Sequence, residues 1–96
     1  MTEAELKKAV VDYAHQQGWH VYSQPMARTK RPVKDASGYP DLTLARDGRV
    51  LWIELKQEDG TISEAQHDWL RALSWDRASV IRPSDWDSGF VQRLLG

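Results

Sequence analysis

Cysteine is absent from this 96-residue chain, which excludes disulfides, thiolate nucleophiles and cysteine-based zinc sites and fits a reducing cytoplasm. No run of about 18 apolar residues occurs, so no membrane-spanning helix and no membrane partner are expected. No secretory leader is recognisable either. A Gly-rich phosphate loop is also missing, which argues against a nucleotide-handling Mg²⁺ enzyme. Charge of one sign is not in excess: 13 Lys and Arg stand against 14 Asp and Glu, so the molecule as a whole is not a polyanion binder. Phenylalanine occurs once and tryptophan five times. Trp52, Trp69 and Trp86 are therefore expected to thicken a small core. The length suits one domain over residues 1–96.

What is present divides into clear segments. Thr2 and Glu5 form a capping box opening a helix whose stripe is Leu6, Ala9, Val10, Tyr13 and Ala14, with Gly18 as its stop. Residues 19–23 read as a short strand. Residues 24–38 read as a long loop, and its stretch Arg28-Thr29-Lys30-Arg31-Pro32-Val33-Lys34 concentrates four cations. Strands are expected at 41–46 and 49–56, joined by Asp47-Gly48, a strong hairpin signal. Ser63 and Gln66 make a second capping box for a helix to about Ser74. A strand over 78–82 and a final helix capped by Ser84, burying Phe90, Val91, Leu94 and Leu95, complete the order αβββαβα. The fold class is α/β.

The hairpin carries the chemistry. With a two-residue loop, Arg46 faces Arg49 and the pairing runs on until Asp41 faces Glu54. An odd-length loop would instead turn Asp41 to the opposite face. Lys56 shares the side of Glu54 because strand side chains alternate with period 2. Carboxylates directly opposite each other repel. A divalent cation offsets that repulsion, and Mg²⁺ takes one or two carboxylates plus water and phosphate oxygens. Lys56 fits a charge partner for an attacking water or a strained phosphate. The plain alternative is an exposed hairpin face with a Glu54–Lys56 neighbour pair. Against it, Glu54 and Lys56 lie in the most apolar strand, where charges are rarely buried without partners.

Two helical residues point toward the same place. At 100° per residue, Glu3 lies about 20° from Val10 and extends the buried stripe, whereas Glu5 is occupied by the capping box. Glu3 could otherwise serve only the helix dipole. Gln66 shares a face with Trp69, Leu70 and Leu73 and reaches toward the site, but a side chain bonded back to Ser63 is less free to do so. His20 and His67 are possible auxiliary groups.

The runs Gly38-Tyr39-Pro40-Asp41-Leu42, Trp52-Ile53-Glu54-Leu55-Lys56, Gly60-Thr61-Ile62-Ser63 and Gln66-His67-Asp68-Trp69-Leu70 resemble the virus-type replication-repair nuclease domain, VRR-NUC. This is a branch of the PD-(D/E)XK nuclease superfamily. The resemblance runs from Glu3 to about Trp86. It implies a restriction-endonuclease-like core, a mixed sheet flanked by helices, and a Mg²⁺- or Mn²⁺-dependent endodeoxyribonuclease. On that pattern Asp41, Glu54 and the Leu55 backbone carbonyl match the metal ligands and Lys56 the catalytic lysine. The first-helix acid falls on Glu3 and the second-helix glutamine on Gln66. Arg28, Lys30, Arg31 and Lys34 would grip DNA. The chain is similar to stand-alone phage and bacterial members, which implies branched DNA such as four-way (Holliday) junctions, a homodimer, and a bacterial or host cytoplasm. The alternatives are a flap or general DNA nuclease of the same fold and a non-catalytic nucleic-acid-binding module.

Overall fold

The structure is a computed structural model, and it describes residues 1–25 and 37–96. Arg28, Lys30, Arg31 and Lys34 lie outside the described residues, as does most of the expected 24–38 loop. The observed order is α1 (Glu3–Gln16), β1 (His20–Ser23), β2 (Leu42–Arg46), β3 (Arg49–Leu55), α2 (Glu64–Leu73), β4 (Ala78–Ile81), α3 (Pro83–Asp87) and α4 (Phe90–Leu95). The strands form one mixed sheet in the order β1-β2-β3-β4; the first three pair antiparallel, and β4 runs parallel to β3 after the α2 crossover. Among the described residues, no helix is long and apolar enough to cross a membrane.

The hairpin turns as its sequence dictates. Asp47 and Gly48 both take positive φ, 51° and 80°, as a two-residue type I′ turn requires. That turn fixes the register Arg46↔Arg49, Ala45↔Val50, Leu44↔Leu51, Thr43↔Trp52 and Leu42↔Ile53. Strand alternation then sorts the two faces. Leu42, Leu44, Leu51, Ile53, Leu55 and Ile81 join Leu6, Val10 and Ala14 of α1 and Val91 and Leu95 of α4 in the main core. The other face carries Thr43, Trp52 and Glu54 toward α2.

Four expectations about packing need correction. The fully enclosed tryptophan is Trp19, 3% exposed, whose indole N–H donates to the Leu95 carbonyl at 2.9 Å. Of the three expected there, Trp86 is half-buried and does pack against the core, whereas Trp52 and Trp69 are half-buried and lie outside that cluster. The closing helix is two helices, because Gly89 adopts φ 82° between them. Ser84 is not the cap. Arg82 occupies that position with Pro83 as the first helical residue, and the Asp85 carboxylate accepts the Arg82 N–H at 2.8 Å. Ser84 instead donates its N–H and hydroxyl to the Glu58 carboxylate, at 2.8 and 2.7 Å. Phe90, expected inside, is 39% exposed on the short α4, where Val91 and Leu95 take the buried positions.

Candidate active site

The open end of the β2–β3 hairpin departs from regular pairing at a defined point. In a two-residue hairpin, hydrogen-bonded pairs alternate, falling at 46/49, 44/51 and 42/53, so the next would be Pro40/Leu55. Proline has no N–H to give. There the Leu55 N–H donates instead to Asp41 Oδ2 at 2.8 Å. A side chain thus replaces the backbone ladder, and it holds Asp41 at the mouth of the two strands. On its other side the Asp41 carbonyl accepts the Gln24 N–H at 2.8 Å, tying Asp41 to the end of β1.

Glu54 sits beside it and is 3% exposed, close enough for the Asp41 charge to act on it. Burial pushes the Glu54 carboxyl up to about 8, helped by the hydrogen bond and charge of Asp41 and, more weakly, by Glu3; Lys56 acts in the opposite direction. Without a metal, Glu54 therefore keeps its proton at neutral pH. Glu54 Oε1 accepts from the Gln66 amide at 3.1 Å. Glu54 Oε2 is buried with no hydrogen-bond partner. A buried oxygen of this kind calls for a shared proton or a cation.

Gln66 resolves the expected conflict between its two roles. Its Oε1 accepts the Ser63 N–H at 2.8 Å, its own N–H donates to Ser63 Oγ at 3.1 Å, and its Nε2 still donates to Glu54. One amide closes the capping box with its oxygen and holds the carboxylate with its nitrogen.

The segment leading into Asp41 is fixed by contacts that sequence reasoning did not find. Gly38 has φ 84° and lies against the first turn of α2; a Cβ there would sit 2.5 Å from the Ala65 carbonyl carbon. Tyr39 meets Trp69 edge-on at 5.0 Å, and its hydroxyl accepts the Trp52 indole N–H at 2.9 Å. The signal was present in the Gly-Tyr-Pro-Asp run, but its partners on β3 and α2 are distant in sequence. Beyond Lys56, one Arg82 nitrogen donates to the carbonyls of Gln57 and Gly60 at 2.6 Å each, fixing the loop that follows the lysine.

Glu3 and Asp41 line the same cavity of about 460 Å³, together with Lys7, Gln24 and Leu55. Glu54 lies outside the lining. Among the described residues, Glu3 does not join Asp41 and Glu54 in a converged cluster of three acidic or histidine side chains. The structure thus brings Asp41, Glu54 and Gln66 into direct contact. Glu3 stands across the cavity, and Lys56 is close enough to act on the charge of Glu54. His20 and His67 are both exposed, His67 lying against Trp75 at 5.7 Å, and neither enters the site.

No protein-family model, curated protein or solved structure matches this chain.

Proposed function

We propose that the chain is a metal-dependent DNA endonuclease with a PD-(D/E)XK core of the VRR-NUC kind. The observation that carries the reading is buried Glu54, with its partnerless Oε2, beside half-buried Asp41. A buried carboxylate beside a second acid costs the fold stability unless a proton or cation holds it, and function is a reason to retain one. The donor set fits Mg²⁺ or Mn²⁺: all-oxygen ligands, two carboxylates, and room in the adjoining cavity for water and phosphate. Asp41 and Glu54 would hold the ion, with the Leu55 backbone carbonyl completing the protein ligands. Such an ion supplies Lewis-acid polarisation of a phosphodiester and a water of lowered pKa.

The chain's own groups do the rest. The Gln66 amide fixes Glu54 through Oε1 and leaves Oε2 as the free oxygen. The Leu55 N–H fixes Asp41 in the same way. Lys56, just past the end of β3, would stabilise negative charge developing on the phosphate or orient the attacking water. Glu3, across the cavity, orders water or a second ion. Arg28, Lys30, Arg31 and Lys34 supply phosphate contacts to the DNA backbone.

The substrate is branched DNA, with the four-way junction first, and the working form is a homodimer. A single site cuts one strand at a time, whereas a two-fold dimer offers two identical sites at fixed separation. The exposed Trp75 leaves apolar surface for such an interface. The test is a substrate panel of junctions, flaps, splayed arms, duplexes and single strands with Mg²⁺ or Mn²⁺, run beside light scattering at micromolar protein. Paired symmetric nicks on junctions by a dimer support the reading. A monomer that cuts flaps and linear duplex equally well removes the junction and dimer claims and leaves the nuclease claim standing.

A further inference from the structure

The cavity beside Asp41 contains a cation that the chemistry above does not use. Lys7 lines it from α1, one helical turn beyond Glu3, and is half-buried. Glu3 and Lys7 stand four residues apart with the acid nearer the N-terminus, the favourable order for an ion pair on a helix. They nevertheless form none within 4.0 Å. On the same helix, Lys8 and Asp12 stand in the less favourable order and close at 2.7 Å. Among the described residues, Lys7 enters no salt bridge at all. Its side chain contributes to the cavity lining.

The opposite wall is fixed. Gln24 lines the cavity, and its backbone N–H is bonded to the Asp41 carbonyl at 2.8 Å. The cavity therefore carries two acids, Glu3 and Asp41, and two donors, Lys7 and Gln24. Its volume of about 460 Å³ falls in the range of small-molecule sites and far exceeds what one water needs. We propose that Lys7, assisted by the Gln24 amide, binds a backbone phosphate of DNA next to the one being cleaved. The proposal rests on the nuclease reading. Lys7 sets where the strand lies relative to Asp41 and Glu54, so it acts on substrate binding and leaves the chemical step to the carboxylates and Lys56.

The test compares Lys7→Gln, Lys7→Arg and Lys8→Gln with the parent chain. Lys8→Gln makes the same charge change one residue away, on a side chain paired outside the cavity. Binding of a fluorescein-labelled junction and a labelled duplex is followed by anisotropy across a KCl series in Ca²⁺. Cleavage of the same DNA is followed in Mg²⁺. Lys7→Gln should lower the slope of log affinity against log salt by about 0.9, the loss of one phosphate contact. It should raise KM with kcat nearly unchanged. Lys7→Arg should restore both values, and Lys8→Gln should leave them at the parent level. A Lys7→Gln chain with the parent slope and KM, or a Lys8→Gln chain with an equal loss of slope, overturns the proposal. A parent chain that binds DNA without ever cleaving it removes the nuclease reading, while the slope comparison still judges Lys7. A parent chain that binds no DNA overturns both.

Discussion

The Gln66 amide bridges two structures at once: its oxygen takes the Ser63 N–H at 2.8 Å and its nitrogen donates to Glu54 at 3.1 Å. The start of α2 and the buried carboxylate are therefore mechanically one unit. Substitution separates the two functions. Gln66→Glu keeps a side-chain acceptor for the Ser63 N–H, since glutamate is a normal third residue of a capping box. It loses the donor to Glu54 and sets a third acid beside it. Gln66→Ala loses both bonds and should cost about 1–2 kcal/mol in chemical denaturation. Gln66→Glu should lose DNA cleavage as severely as Gln66→Ala, with the α2 cap preserved. A Gln66→Glu chain with full activity would show that the bond to Glu54 is dispensable.

Gly38→Ala tests the junction between the Asp41 segment and α2. The new Cβ would meet backbone at 2.5 Å on a residue with φ 84°, so the segment or the helix must move. A loss of about 1–3 kcal/mol is expected from the strained backbone. The accompanying shift of Gln66 should weaken metal binding as well. Tyr39→Phe removes the acceptor for the Trp52 indole and the 3.3 Å bond to the Thr43 hydroxyl, and should cost about 1–2 kcal/mol. Urea melts of the two variants give the comparison, and an unchanged midpoint for Gly38→Ala would contradict the packing described.

The metal-free fold should lose stability as pH rises. The Glu54 carboxyl moves from 4.5 to about 8 on folding, so between those values the folded chain keeps a proton that the unfolded chain gives up. The stabilisation is complete below pH 4.5 and fades as pH approaches 8. Glu54→Gln mimics the protonated form at every pH. It should flatten that part of the pH profile and melt above the parent chain at pH 8 in EDTA. A parent profile that rises across this window, or a Glu54→Gln profile with the parent slope, would contradict the assignment.

Metal should compete with the same proton. Mn²⁺ or Mg²⁺ should raise the melting temperature by mass action, more at pH 8 than at pH 6, and release protons on binding. The shift should vanish in the Asp41→Ala/Glu54→Ala chain. Ca²⁺ should bind without supporting turnover, because its looser coordination places the water poorly. Calorimetry in buffers of different ionisation enthalpy reads the proton release directly.

The sequence made part of this site legible for a simple reason. Asp47-Gly48 permits one tight turn, and from it counting along two strands brings Asp41 to Glu54. Both capping boxes were equally local and equally readable. The rest depended on contacts across the chain. The two roles of Gln66 look opposed in the sequence, because a sequence does not show that the two ends of an amide serve different partners. Tyr39 needed Trp52 and Trp69, which arrive from another strand and a helix. The break at Gly89 was missed because the apolar spacing of Trp86, Phe90 and Leu94 continues straight through it. Trp19 was overlooked as core because it stands in the short link between α1 and β1, outside any apolar stripe.

The central claim is that Asp41, Glu54 and Lys56 form a metal-dependent phosphodiesterase site, and its most direct test is cleavage of labelled DNA by the purified chain. The parent chain should cut in Mg²⁺ or Mn²⁺ and stop in EDTA. Asp41→Ala, Glu54→Ala and Lys56→Ala should each lose cleavage by a factor of roughly 100 or more, the scale of losing a principal electrostatic or metal-holding group, while remaining folded. Cleavage that persists in EDTA, or parent rates in all three variants, would contradict the account.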